Sequence, residues 1–133
     1  MTECFKVFPI GTIKKHGDQV TIEILNAYED ALLGLDQFSH IIVFSWFHKN
    51  DTPEKRTILR VHPRGDRANP LRGVFATRSP VRPNLIAISI CTLLSVDRNI
   101  IHIDEIDCFN GTPVIDIKPC VSRDDFDSDI AVV

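Results

Sequence analysis

The chain contains a run that is apolar on both of its faces, His40-Ile41-Ile42-Val43-Phe44-Ser45-Trp46-Phe47-His48. A β-strand sends successive side chains to opposite faces, so apolar residues at both parities indicate a strand that is covered on both sides. The run is far shorter than the roughly 20 apolar residues that a membrane helix needs. We therefore predict a central strand over residues 40–48.

Two pairs of segments, one on each side of this strand in the chain, predict β-hairpins. Residues 5–15 are mostly apolar, and after a tight turn residues 20–24 alternate between apolar and polar side chains. Residues 85–96 form a long, β-branched, apolar segment, and a short polar turn joins it to residues 100–106. Both patterns are typical of antiparallel strands that are adjacent in sequence.

A helix is predicted over residues 26–35. Asn26 can cap its first turn, and Glu29 and Asp30 place negative charge near its positive end. Gly34 can end it, because glycine accepts the left-handed conformation that closes many helices.

The rest of the chain has weaker patterns. A short strand is predicted over residues 56–61, and no periodic pattern is recognised after Gly111. Residues 124–129 form an acidic segment that we expect to be mobile unless Phe126 docks. Six or seven strands with one helix predict a mainly β protein. The expected fold is a small antiparallel β-barrel with one or two short helices, because closure removes exposed strand edges.

A segment rich in arginine and proline lies between the predicted central strand and the second hairpin. Residues 62–84 contain five arginines and four prolines around a short apolar run, residues 73–76. Proline removes a backbone donor and restricts the preceding residue, so the segment is predicted as loop, short buried strand and loop. Guanidinium groups on rigid loops suit anions and planar polar groups. The alternative is a proline-rich turn whose arginines are only solvated.

Charge is unevenly distributed along the sequence. The net charge is −3, but residues 54–82 carry eight basic and two acidic side chains, whereas residues 97–133 carry three basic and nine acidic. If the basic block folds onto one face, it can meet phosphates despite the acidic total. The alternative is that the acidic residues at the end of the chain neutralise it.

Composition restricts the class of protein. The 133 residues, 44% hydrophobic and 25% charged, are typical of one globular domain, and we expect residues 1–133 to form it, with an acidic tail from about residue 122. The first residues lack a signal-peptide pattern, and no membrane segment is expected, so the predicted location is the cytoplasm. Neither the four cysteines nor the five histidines show metal-site spacing, so we expect no metal and mostly buried, free thiols.

Several motifs together resemble the TsaA-like family, whose best-known activity is of the TrmO type. They are Gly34-Leu35-Asp36-Gln37-Phe38-Ser39-His40, Gly73-Val74-Phe75-Ala76-Thr77-Arg78-Ser79-Pro80, Arg82-Pro83-Asn84 and Asp107-Cys108-Phe109-Asn110-Gly111-Thr112-Pro113-Val114. The resemblance implies a small β-barrel that forms a homodimer. It also implies an S-adenosylmethionine-dependent methyltransferase acting on N6 of threonylcarbamoyladenosine, beside the anticodon of tRNA.

The resemblance also implies a set of site residues. Cofactor-binding positions of the family match His48, Lys49, Arg78, Ile88, Asp104, Glu105, Ile106 and Asp107. Asp107 is in addition the candidate base for the acceptor nitrogen, and Arg64, Arg82 and Asn84 are candidates for substrate binding. An arginine suits the carboxylate of the cofactor, and aromatic rings such as those of Trp46 and Phe75 suit its positive sulfur.

The chain also departs from the family pattern. The TrmO type has a longer first loop with a cofactor-contacting Pro-Arg-Gln motif, where this chain has only His16-Gly17-Asp18. Lys49 stands where glutamine is usual, and the extra C-terminal domain of longer members is absent from this sequence. The alternative function is therefore a non-catalytic module that binds a small molecule or nucleotide on the same barrel.

Overall fold

The computed structural model describes residues 3–121. Its main strands are β1 Gly11–His16, β2 Gln19–Ile24, β3 His40–Trp46, β6 Ile86–Asp97, β7 Ile100–Ile103 and β8 Pro113–Pro119. Between β3 and β6 lie a one-turn helix, α1 Pro53–Arg56, and two short strands, β4 Arg60–Val61 and β5 Arg72–Gly73. The six main strands form a closed antiparallel barrel in the order β1-β2-β7-β6-β3-β8, which confirms the predicted fold class. The predicted acidic tail lies outside the described residues.

The predicted central strand is confirmed as β3. It pairs with β6 on one side and with β8 on the other. Its inward residues Ile41, Val43 and Ser45 are fully buried, while its outward residues are half-buried. The strand ends at Trp46, earlier than predicted, because Phe47 leaves the extended conformation at φ −74° and ψ 67° and a 3-10 helix follows over His48–Asn50.

Both predicted hairpins are present. β1 and β2 are joined at Gly17 and Asp18, and Gly17 has a φ of 58°, which glycine adopts without steric cost. β6 and β7 form the second hairpin, with an irregularity between Leu93 and Ser95. The first strand begins at Gly11 and not near residue 5, and Phe5 is 86% exposed.

β8 is a strand that the sequence pattern missed, since no periodic pattern was recognised after Gly111. It pairs with β1 through Val114 opposite Gly11, and with β3 along most of its length, so it closes the barrel. Prolines bound it at both ends, at Pro113 and Pro119. Only pairing with two strands that are distant in sequence makes this short segment a strand.

The predicted helix over residues 26–35 is present, but it is shorter than predicted and is a 3-10 helix. Asn26–Leu32 is a 3-10 helix with no buried residue, and the capping position is Leu25, which makes no side-chain capping bond. Gly34 does adopt the left-handed conformation, with a φ of 86°. The segment contacts the core only through the partly buried side chains of Tyr28, Leu32 and Leu35, and helices of this length are marginal without a well-buried face.

Two other local predictions are corrected between β3 and β6. Residues 56–61 were predicted as one strand, but α1 ends at Arg56 and only Arg60–Val61 is extended. The run at residues 73–76 is not a buried strand, because Val74–Ala76 is a 3-10 helix. Val74 in that turn is buried, whereas the neighbouring Phe75 is 83% exposed.

The core fills the interior of the barrel with aliphatic side chains that alternate with outward residues along each strand. Ile13, Ile22, Ile41, Ile101 and Val114 are all 0% exposed. No helix within residues 3–121 is long and apolar enough to cross a membrane. Nor does that part of the chain bring together a His, Cys, Asp or Glu cluster that could hold a metal ion.

Candidate functional site

The candidate site lies at one end of the barrel, where β3 ends and β6 begins. Two loops meet there, one containing residues 74–80 and the other residues 104–112. Four adjoining cavities open on this surface, and Asp107 borders all of them. Arg78 borders three of the four. These two opposite charges therefore mark the centre of the site.

One cavity, of about 440 Å³, has an apolar wall and a charged rim. The wall includes Phe75 from the 3-10 helix and Ile86 and Ile88 from the outer face of β6. Arg78 and Asp107 form part of the rim. This combination suits a ligand with a flat apolar body and a charged end.

A second cavity, of about 610 Å³, shares Arg78 and Asp107 with the first. It is lined by His48 and Lys49, which follow β3, and by Lys15 at the end of β1. The ammonium of Lys49 lies 4.1 Å from the centroid of the Phe109 ring, a cation–π contact. Lys49 and Phe109 thus stabilise each other at the edge of this cavity.

The loop that carries Asp107 is held to β1 by Lys15. The Lys15 ammonium donates to the carbonyl oxygen of Ile106 at 3.0 Å. The backbone N–H of Lys15 donates to Oδ1 of Asn110 at 2.8 Å. Ile106 is 7% exposed and packs into the core. The loop turns at Gly111, whose φ is 89°. Asp107 is exposed, but the backbone on both sides of it is fixed.

The loop that carries Arg78 is braced by its own side chains. The hydroxyl of buried Thr77 donates to the Val74 carbonyl at 3.0 Å and accepts from the Ser79 N–H at 3.1 Å. One guanidinium nitrogen of Arg82 donates to the carbonyls of Thr77 and Ser79, at 3.2 and 3.0 Å. Within residues 3–121 the Arg78 guanidinium itself has no hydrogen bond or ion pair. The loop therefore presents an unpaired cation from a rigid backbone.

A cluster of three side chains stabilises the end of β3 beside the second cavity. The indole N–H of Trp46 donates to Asp51 at 3.1 Å, and Arg56 forms an ion pair with the same carboxylate at 3.1 Å. The hydrogen bond from Trp46, followed by the hydrogen bond and the positive charge of Arg56, lowers the pKa of Asp51. Arg56 also lies 5.4 Å from the Trp46 ring centroid and donates to the Pro83 carbonyl at 3.0 Å. Trp46 therefore serves the scaffold of the site.

Most of the residues predicted for the cofactor come together around Arg78 and Asp107. The cavities are bordered by His48, Lys49, Arg78, Ile88, Glu105, Ile106 and Asp107. Asp104 lies apart, because its Oδ1 accepts the Thr92 N–H at 3.0 Å, next to the irregularity in β6. It borders none of the four cavities formed by the described residues.

The three predicted substrate residues take different positions. Arg64 borders a third cavity together with Arg78 and Asp107. Arg82 borders the first cavity, although one of its nitrogens braces the Arg78 loop. Asn84 is exposed just before β6 and borders none of the four cavities described.

Lys15 and Phe109 are residues of the site that sequence reasoning missed. Phe109 lies inside the recognised motif at residues 107–114, so its neighbours could have singled it out. Lys15 gave no such signal, because it reaches Ile106 across 91 positions of sequence. Of the four cysteines, all of which lie within residues 3–121, only Cys91 is fully buried, which corrects the expectation that most would be.

The barrel and its end cavities define a small β-barrel domain with a site for a charged, partly apolar ligand. Residues 3–126 match the family model of the tRNA-methyltransferase O N-terminal domain. The match covers nearly the whole chain, so this chain belongs to that family.

Relatives and solved structures agree with this assignment. A probable S-adenosyl-L-methionine-binding protein of Methanocaldococcus jannaschii is 51% identical over 110 residues, which are 83% of this chain and 87% of the relative. The human tRNA (adenine(37)-N6)-methyltransferase is 42% identical over 103 residues, 77% of this chain but 22% of that enzyme. The crystal structure of TrmO from Pseudomonas aeruginosa matches with a TM-score of 0.74 at 29% identity, over 100% of this chain and 62% of that one.

Proposed function

We propose that this chain binds S-adenosylmethionine at the end of the barrel and methylates an adenosine of tRNA. The observation that carries the proposal is the exposed Arg78 guanidinium, which has no partner among residues 3–121 and borders three cavities together with Asp107. Similarity to a probable S-adenosyl-L-methionine-binding protein and to a tRNA methyltransferase supports it. Because the chain spans 62% of the solved TrmO chain, the activity of the longer proteins remains a proposal here.

The donor groups of the site fit the chemistry of this cofactor. Arg78 offers paired N–H donors for a carboxylate. Ile86 and Ile88 offer an apolar wall for a nucleobase, and Glu105 offers a carboxylate for a ribose diol. The two larger cavities described above, of about 440 and 610 Å³, fall in the range of roughly 300–1,000 Å³ that is usual for small-molecule sites. Each part of the cofactor therefore has a suitable partner.

The residues of the chain would act mainly by positioning. When bound, the cofactor supplies an electrophilic methyl group on a positively charged sulfur. Methyl transfer needs no covalent intermediate with the enzyme, so holding the acceptor nitrogen in line supplies most of the acceleration. The acceptor nitrogen must also lose a proton. We assign Asp107 to accept it, because its carboxylate borders all four cavities.

For the substrate we propose N6 of threonylcarbamoyladenosine in the tRNA anticodon loop, with Arg64 as a contact to it. Arg64 borders the cavity that also contains Arg78 and Asp107, and its exposed guanidinium suits phosphate or carboxylate groups. Methylation of tRNA that carries the threonylcarbamoyl group, compared with tRNA that lacks it, checks this assignment. Equal methylation of both tRNAs would contradict it.

We also propose that the protein is a homodimer. Ile86, Ile88 and Ile90 form an apolar strip on the outer face of β6, each about 40% exposed at 42%, 39% and 43%. A second copy would pack over this strip, so that the cofactor wall formed by Ile86 and Ile88 would lie at the subunit interface. A two-fold interface places the same strip on both subunits. Light scattering should give twice the 15.0 kDa chain mass. A monomer mass at high concentration would contradict the proposal.

The decisive experiment on the cofactor site is calorimetry of Arg78→Ala with S-adenosylmethionine and with its demethylated product. Loss of a charge-assisted bond of roughly 1.5–3 kcal/mol should weaken binding about tenfold to a hundredfold. The melting temperature should change little, since the Arg78 guanidinium has no partner within residues 3–121. Arg78→Lys should recover only part of the affinity, because one ammonium cannot reproduce the paired donors.

Arg67→Ala is the matched control. Arg67 is exposed in the same segment and borders none of the cavities described, so its loss removes the same charge without touching the site. A lowered melting temperature with unchanged affinity in Arg78→Ala would refute the ligand-binding role. Cofactor binding without methyl transfer to any tRNA would instead support the alternative of a non-catalytic binding module.

A further inference from the structure

The ribbon formed by β4 and β5 has two faces, and one of them adjoins the site. Val61 is paired with Arg72, and Arg60 with Gly73. Directly opposed residues of paired strands project to the same face, and neighbours along a strand to opposite faces. Val61 borders the cavity that is also lined by Arg64 and Arg78. Because Arg72 is paired with Val61, it projects to the same side of the ribbon. Arg60 projects to the other side.

The arginines on this side are available to a ligand. Arg64 and Arg72 are both exposed. Neither forms an ion pair with an acidic group of residues 3–121. Two unpaired guanidinium groups next to a third, Arg78, attract anionic groups that are spaced along a chain.

The loop that presents Arg64 is rigid. The ring nitrogen Nδ1 of His62 bonds to the Asn69 carbonyl at 2.9 Å, and the Asn69 amide donates to the Pro63 carbonyl at 2.8 Å. Pro63 is buried, and Arg64 has a φ of 60°, a conformation that needs support from its surroundings. Little entropy is therefore lost when this loop meets a ligand.

Phe75 and Arg64 border different cavities, and both cavities share Arg78 and Asp107. Phe75 borders the first cavity and is 83% exposed. Its backbone is fixed, because Val74 before it is buried and the Thr77 N–H and hydroxyl both bond to the Val74 carbonyl. A large apolar ring that is held rigidly in solvent has no role in the fold of the described residues. A flat aromatic face beside cations is the usual partner of an unstacked nucleobase.

We propose that this surface binds a single-stranded RNA loop, with phosphates on Arg64 and Arg72 and a base stacked on Phe75. Arg64 and Phe75 border two cavities that share Arg78 and Asp107, so a nucleotide held between these contacts lies at the site. Phosphate contacts set the position of the strand, and stacking requires a base that is free of a duplex. The inference rests on the proposed function and extends it to residues outside the cofactor set.

The first test compares Arg72→Ala with Arg60→Ala in the full chain. Both changes remove one exposed arginine from the same ribbon, but from opposite faces. The probe is a synthetic RNA stem-loop of anticodon-arm size, and its affinity is measured by fluorescence anisotropy at several salt concentrations. Arg72→Ala should reduce the slope of log affinity against log salt by about 0.7, the value for one phosphate contact on a single strand. Arg60→Ala should keep the native slope.

The second test replaces Phe75 by leucine and by tyrosine. Leucine keeps apolar bulk without an aromatic face, whereas tyrosine keeps the face. Stacking predicts that Phe75→Leu weakens RNA binding by roughly fivefold to a hundredfold and that Phe75→Tyr stays near native. If a protein partner covers Phe75 instead, leucine is tolerated and RNA affinity is unchanged, which overturns the proposal.

The outcomes separate this inference from the proposed function. The proposed RNA-binding surface would be overturned by equal slopes of log affinity against log salt for Arg72→Ala and Arg60→Ala. It would also be overturned if the native chain did not bind the RNA. Methyl transfer from S-adenosylmethionine to the same RNA is measured on the native chain. If the native chain methylates the RNA but the Arg72 and Phe75 variants bind it as the native chain does, only the proposed RNA-binding surface is refuted. If the variants change RNA binding as predicted but the native chain does not bind the cofactor, only the proposed function is refuted. Melting temperatures of all variants should stay native, because the replaced side chains are exposed.

Discussion

The barrel wall and the excursion between β3 and β6 are built by different means. In the wall, backbone groups pair along the strands and inward aliphatic residues such as Ile22 and Ile41 are fully buried. The excursion has one turn of α-helix, three short 3-10 helices and two strands of two residues. Side chains such as Thr77 and Arg82 bond its loops together. Stability is thus concentrated in the wall, while the charged groups of the site lie on loops with few buried residues.

The largest expected effect comes from truncating a side chain inside the wall. Ile22 is 0% exposed, so Ile22→Ala removes buried methyl groups and leaves a cavity. The expected loss is roughly 2–5 kcal/mol of unfolding free energy, measured by chemical denaturation. Leu94→Ala is the control on an outward position of β6, 62% exposed, where the change should stay within about 0.5 kcal/mol. A similar loss of unfolding free energy in both variants would contradict the conclusion that stability is concentrated in the inward side chains of the wall.

A smaller and local effect is expected from Arg82→Ala in the excursion. The change removes the donor to the Thr77 and Ser79 carbonyls, and each bond contributes about 1 kcal/mol. The backbone around Arg78 should then open more often, so hydrogen exchange of the Ser79 and Val81 amides should quicken while that of the barrel stays slow. Cofactor affinity should fall as well, because Arg78 is no longer held.

Arg67→Ala serves again as the control, because Arg67 is exposed in the same segment and makes no hydrogen bond or ion pair within residues 3–121. Its exchange pattern should match the native one. If Arg82→Ala instead slows folding or quickens amide hydrogen exchange across the barrel strands, the excursion is part of the core. The contrast between the wall and the excursion would then be wrong.

The smallest effect at neutral pH concerns Cys91 on the inner face of β6. Burial, and next the nearby charge of Asp104, raise the pKa of this thiol from 9.0 to about 12. The unfolded chain releases the proton first as pH rises, so the contribution of this group to stability is intact below about pH 8.5 and declines between there and pH 12. At pH 8, iodoacetamide should modify the exposed Cys4 quickly and Cys91 only after unfolding. Equal rates would show that the wall opens near Cys91.

The predicted elements differ in how closely they agree with the structure. The alternating residues of β2 and the two-sided apolar run of β3 were correct, because strand patterns repeat every two residues and depend on the sequence nearby. The helix predicted at residues 26–35 is present only over Asn26–Leu32 and as a 3-10 helix, because the predicted cap at Asn26 does not form and the segment is only partly buried against the core. β8 was missed because it is made by its pairing with β1 and β3.

The sequence by itself determined the strands of both hairpins, the central strand, the unusual density of arginine and the motifs that place the chain in its family. Only the tertiary structure decided that Asp107 borders the same cavities as Arg78, that Lys15 reaches Ile106, and that Phe75 is exposed while Val74 is buried. The physical reason is the range of each signal. Side-chain alternation and turn chemistry act over a few residues, whereas cavities and exposure depend on which distant segments meet when the barrel closes.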